Sequence, residues 1–144
     1  MKTISKILAA LLMIFIFTSS NGSAQVMDNS EKEYQELQTK QAEMTVQTWQ
    51  QLQSHGITEE TELILDFMYY SPQKEDAEKL KQFLENYEIS IQKEENGELW
   101  VVEGKTSPTA VSEAILLQWV DYMVAAGWDY NCYFDGWGTE IPEN

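Results

Sequence analysis

The chain has 144 residues, with 24 acidic side chains against nine lysines, no arginine, and a formal charge of −15. Nucleic-acid binding rests on Lys and Arg neutralising phosphates, and arginine is the usual bidentate reader of guanine, so this composition argues against a nucleic-acid or anionic-lipid binder. On the same electrostatic ground a basic macromolecular partner is favoured over an acidic one, and the competing reading is that the charge only maintains solubility.

The first 24 residues read as a secretory signal peptide. Lys2 and Lys6 precede an eleven-residue apolar run, Ile7 to Phe17, and small residues follow, with Gly22 and Ala24 at minus three and minus one to a cut before Gln25. The run is short of the roughly 20 residues needed to span a bilayer, so no stable membrane anchor is expected after cleavage. Cleavage leaves Gln25–Asn144, 120 residues, enough for one domain with one core. It also removes two lysines and takes the formal charge from −15 to −17. Export, periplasmic or secreted, is the expectation. Cys132 is the only cysteine, so the fold must stand without an intrachain disulfide.

Residues 25–30 read as a polar linker. Ser30 and Glu33 fit an S-x-x-E capping box, and the spacing predicts a helix from about Glu31 to Ser54, within an N-terminal helical unit 31–56. Leu37, Met44 and Leu52, with Tyr34 and Trp49, give it a thin apolar stripe among many glutamines. Gly56 stands where a C-terminal cap is wanted. Such a helix is expected on the domain surface or against something outside it.

The remainder, 57–144, alternates strands and helices. From Thr61 the period becomes two, with Leu63, Leu65, Phe67 and Tyr69 against Ile64, Asp66, Met68 and Tyr70, which predicts a strand. Ser71 is a candidate cap for a helix carrying Ala77, Leu80, Leu84 and Tyr87. Ile89 and Ile91 mark a second strand. Asn96-Gly97 suits a two-residue hairpin turn into a third strand, Glu98 to Lys105. Ser107-Pro108 reads as the start of a second helix, with Val111, Ile115, Trp119, Tyr122 and Ala126 on one face and Gly127 at its end. Asp129 to Asp135 is the last strand. The predicted order is a leading helix followed by βαββαβ, an α+β ferredoxin-like fold: one antiparallel sheet with two helices on one face.

Few residues offer chemistry. His55, the only histidine, falls at a helix C-terminus, where a cation is favoured and no second imidazole or cysteine cluster accompanies it. Cys132 alternates with Tyr130 and Phe134 on one strand face and has no evident base, so it reads as core. The pairs Glu59-Glu60, Glu94-Glu95 and Asp76/Glu78 match no calcium-loop spacing and read as solvated faces. Asp135-Gly136-Trp137-Gly138-Thr139 carries two readings. The glycines allow unusual backbone angles that let Trp137 finish the sheet, or they hinge an exposed tryptophan that anchors a partner.

That segment, with Phe134 before it, is "FDGWGT", and it resembles the close of the family called regulator of ribonuclease E activity B. The Glu/Gln-rich leading helix, the glycine break, the βαββαβ order and the acidic balance agree, over about Glu31 to Ile141. The resemblance implies a ferredoxin-like, non-enzymatic protein that acts by binding, with no catalytic residue, metal or cofactor. Family members of known function bind ribonuclease E in the cytoplasm and lower its activity. A cleaved leader would keep this chain from that target, so the expectation is an exported domain of this type with another protein partner. A cytoplasmic inhibitor of ribonuclease E is the alternative if the leader is not used. A hydrolase built on an acidic pair ranks a distant third.

Overall fold

The computed structural model describes residues 5–8 and 31–142. The rest of the Met1–Ala24 leader, the 25–30 linker, Ser30 of the expected capping box and residues 143–144 lie outside the described residues. The elements in chain order are β1 (Ser5–Leu8), α1 (Glu31–Ser54), β2 (Glu62–Leu63), β3 (Leu65–Ser71), α2 (Lys74–Phe83), β4 (Glu88–Lys93), β5 (Trp100–Lys105), β6 (Thr109–Ala110), α3 (Glu113–Asp129) and β7 (Tyr133–Ile141). Five strands form one antiparallel sheet in the order β1-β7-β3-β5-β4, while β2 and β6 pair as a two-stranded ribbon. Without β1 the sheet order β7-β3-β5-β4 is that of the ferredoxin-like βαββαβ unit, as the sequence pattern predicts.

The leading helix belongs to the domain and does not stand apart from it. Leu37, Gln41, Met44, Thr45, Thr48, Trp49 and Leu52 recur three and four residues apart and are all buried. The stripe looks thin in the sequence because three of its seven members are polar, and each of these is satisfied in place. Gln41 Nε2 donates to the Phe134 carbonyl (3.3 Å), Thr48 Oγ1 donates to the Met44 carbonyl (2.9 Å), and Thr45 Oγ1 accepts from Trp137 Nε1 (3.0 Å). A buried polar group costs little once hydrogen-bonded. Gly56, at φ 87°, ends the helix as expected, with Ile57 N returning to the Leu52 carbonyl.

Beyond α1 several boundaries move from their predicted places. The strand from Thr61 is two pieces, β2 and β3, broken at Ile64, whose side chain is exposed and whose carbonyl accepts from Thr139 Oγ1 (2.8 Å). Ser71 closes β3 and does not cap α2. Its hydroxyl donates to the carbonyls of Gln73 and Asn131, and Gln73 occupies the cap without a side-chain bond. α2 ends at Phe83, with Leu84 as its C-cap, so Tyr87 lies past the helix. The β4–β5 connection is longer than a two-residue turn: Glu94 N bonds the Leu99 carbonyl, and Asn96 alone there takes a positive φ, 59°.

Ser107-Pro108 does not open α3, because Thr106 is held to β3 on both sides. Its N–H donates to the Leu65 carbonyl, its hydroxyl accepts from Leu65 N, and Thr109–Ala110 then pair with β2. Ser112 is the cap and accepts from Ile115 N at 3.2 Å. The buried face of α3 also differs from the predicted one. Leu116, Val120, Met123, Val124, Ala126 and Gly127 face inward, whereas Ile115 and Tyr122 are about half exposed. The helix is apolar on most of its circumference, so periodicity alone had no unique face to select. α3 continues two residues past Gly127, and β7 starts at Tyr133 instead of Asp129.

Candidate functional site

The segment Asp135 to Thr139 lies inside β7, between β1 and β3. A tight turn delivers the strand. Asn131 adopts a positive φ of 58°, its Nδ2 donates to Asp76 Oδ2 (3.2 Å), and its carbonyl receives the Ser71 hydroxyl. The turn is drawn close to α3 because Gly127 has no side chain. A Cβ there would stand 2.5 Å from Tyr69 Cε2 and 2.6 Å from the Cys132 carbonyl oxygen. Tyr69 meanwhile donates its hydroxyl to the Met123 carbonyl at 2.7 Å, pinning the sheet to the helix.

The pairing of β7 with β3 slips at Asp135. Phe134 stands opposite Tyr69 and Gly136 opposite Met68, so Asp135 is the extra residue of a β-bulge. Gly136, at φ 141°, absorbs the distortion in a conformation that residues with a Cβ rarely adopt. Gly138 does not share that need; its φ is not in the positive range. The bulge resets the alternation so that Phe134 and Trp137 both enter the core. Trp137 is 1% exposed, donates to Thr45 on α1, and meets Trp119 of α3 edge-on, with centroids 6.2 Å apart. Thr139 is also buried and ties the strand to Ile64. The exposed-anchor reading of the tryptophan therefore has no exposed ring in this structure.

Asp135 is the unusual member. It is 1% exposed, and neither carboxylate oxygen has a hydrogen-bond partner. Burial raises its pKa from 3.8 to about 7. Tyr70 and Tyr133 feel its charge, and each phenol is pushed up to about 12, first by burial and then by that carboxylate.

The other candidates are separate from this segment and from each other. Cys132 is buried in the turn, and desolvation pushes its thiol up to about 12 despite a hydrogen bond from Ser71. A thiol held there is a poor nucleophile. It precedes β7 and so does not share a strand face with Tyr130, which instead packs on Phe83. His55 is exposed just past α1, its Nδ1 2.8 Å from the Gln51 carbonyl. Glu59, Glu60, Glu78 and Glu95 are exposed, while Glu94 and Asp76 are partly buried, the latter engaged by Asn131. Among the described residues no group of three or more His, Cys, Asp or Glu side chains could hold a metal ion.

One surface escaped the sequence reading. Phe83, at the end of α2, stacks on Tyr122 of α3 at 6.3 Å, and Ile115 lies two turns before Tyr122 on the same helix. All three are 46–51% exposed. The signal was present as the seven-residue spacing of Ile115 and Tyr122, but it reads as core in any sequence whose helix is apolar all round.

A ferredoxin-like α+β domain with an extra leading helix, an acidic composition and a buried aromatic closing strand is the class of protein these features define. Residues 42–139 match the family described as RraB, regulator of ribonuclease activity B, and the chain belongs to that family. No curated protein matches the chain. Among the described residues no helix is long and apolar enough to cross a membrane.

Proposed function

We propose that this chain is a non-catalytic binding and regulatory domain of the ribonuclease-regulator type, exported after loss of Met1–Ala24, that acts by capturing a basic protein. The observation that carries the reading is the family match over residues 42–139, in a chain with 24 acidic residues and no arginine. An acidic surface attracts a basic partner and speeds its encounter. The exposed Phe83, Tyr122 and Ile115 supply apolar contact of the kind that anchors an interface. Binding by such a surface uses no cofactor.

A second reading is a cytoplasmic inhibitor of ribonuclease E that keeps its N-terminus. It is favoured by one observation: Ser5–Leu8, from within the leader, has a place in the sheet beside β7. Cell fractionation with N-terminal sequencing of the native protein separates the two. A product starting at or near Gln25 outside the cytoplasm supports export. An intact Met1 in the cytoplasm, with salt-sensitive binding to ribonuclease E, would transfer the function to the second reading.

A further inference from the structure

The two edges of the main sheet are unlike. β4, at one side, carries Glu88, Gln92 and Lys93 exposed along it, the charged character that discourages a further strand. At the other side β1 is the edge strand, and the outer side of β7 beneath it is covered in two parts. Its first half is served by α1, through the bond from Gln41 to the Phe134 carbonyl. Its second half is covered by β1, with Ser5 opposite Ile141, Lys6 opposite Glu140, Ile7 opposite Thr139 and Leu8 opposite Gly138. Glu140 is the only exposed residue of β7, and the residue paired with it is a lysine.

We infer that the Gly138–Ile141 edge is a strand-addition site for an extended segment of a partner protein carrying a basic residue followed by apolar ones, a site that the chain's own Ser5–Leu8 occupies until the leader is removed. This rests on the export reading, since cleavage before Gln25 takes β1 away. The backbone N–H and C=O groups of Gly138–Ile141 that β1 served then need new partners, and a strand edge in that condition is a template for another chain. The chemistry of the occupant follows from the register. A cation opposite Glu140 is favoured and an anion disfavoured, because directly opposed charges on neighbouring strands interact. A second copy of β7 fits less well, since antiparallel self-pairing about this stretch brings two Glu140 carboxylates together.

The test uses the mature chain, Gln25–Asn144, which contains every described core residue from Leu37 to Ile141. The probe is a labelled synthetic peptide of residues 2–9, Lys-Thr-Ile-Ser-Lys-Ile-Leu-Ala. Fluorescence anisotropy reports binding, and amide hydrogen exchange reports where it occurs. The mature chain should bind the peptide saturably and slow exchange at Gly138–Ile141 at least ~tenfold, as strand pairing protects amides. The full-length chain, its edge occupied, should not bind. Lys6→Glu in the peptide or Glu140→Lys in the protein should each weaken binding about fivefold, and the two together should restore it. Absent binding, unchanged exchange at 138–141, or a mature chain that pairs with itself through this edge would overturn the inference. Failure of the export reading shows separately, as an intact Met1 on the native protein, whatever the peptide does.

Discussion

Asp135 makes the stability of this domain depend on pH in a direction opposite to that of most acidic residues. Its folded pKa is raised from 3.8 to about 7, because burial disfavours the ionised form and no donor offsets it. A raised folded pKa means the native state binds the proton more tightly than the unfolded chain does. The contribution is therefore fully present below about pH 3.8 and is lost as pH rises through about 7. At 1.36 kcal/mol per unit, a shift from 3.8 to about 7 corresponds to a loss of up to about 4 kcal/mol across that window. Asp135→Asn removes the titration while keeping the shape.

The informative quantity is the difference between wild type and variant in urea-unfolding free energy, followed from pH 4 to 8. Taking the difference cancels the repulsion among the other acidic residues, which also varies with pH. The variant should gain on the wild type steadily from pH 4 to about 7 and level off above it. The absolute value at pH 4 carries the cost of burying an amide and decides nothing. Two parallel curves from pH 4 to 8 would mean that Asp135 is hydrated or partnered in solution, and the reasoning from its burial would fail.

Trp137→Ala should cost roughly 3–5 kcal/mol, the range for truncating a fully buried aromatic, and lower the melting temperature by ~12 °C or more in calorimetry. A near-unchanged transition would show that the ring is not in the core. Gly127→Ala places a Cβ 2.5 Å from Tyr69 Cε2 and 2.6 Å from a backbone oxygen, so a loss of about 1–3 kcal/mol is expected by chemical denaturation. Tyr122→Ser and Phe83→Ser remove half-exposed rings that stack on each other, and each should cost about 1–2 kcal/mol, less than Trp137→Ala. Capture of a basic partner should weaken in the same variants; full retention would exclude that patch as the contact.

Much of the architecture is determined by local pattern. The period-two run from Leu63 to Tyr69, the helical spacing of α1 and the glycine at its end each follow from covalent geometry and side-chain polarity over a few residues. Their order suffices for a βαββαβ domain behind a leading helix, and the family to which the sequence pattern pointed is the one that matches residues 42–139. Which face of α3 is buried was decided only by tertiary packing, because a helix apolar on most sides has no intrinsic inside until the sheet and α1 close on it. The same holds for the buried polar stripe of α1, where Gln41 and Thr45 look like surface residues until Phe134 and Trp137 supply their partners from more than 90 positions away. Asp135 is the sharpest case. A single aspartate before a glycine reads as the close of a strand, and nothing local says that a bulge will turn it into a buried carboxyl without a partner. Burial and pKa are properties of what surrounds a group, and in this chain the surroundings arrive from distant parts of the sequence.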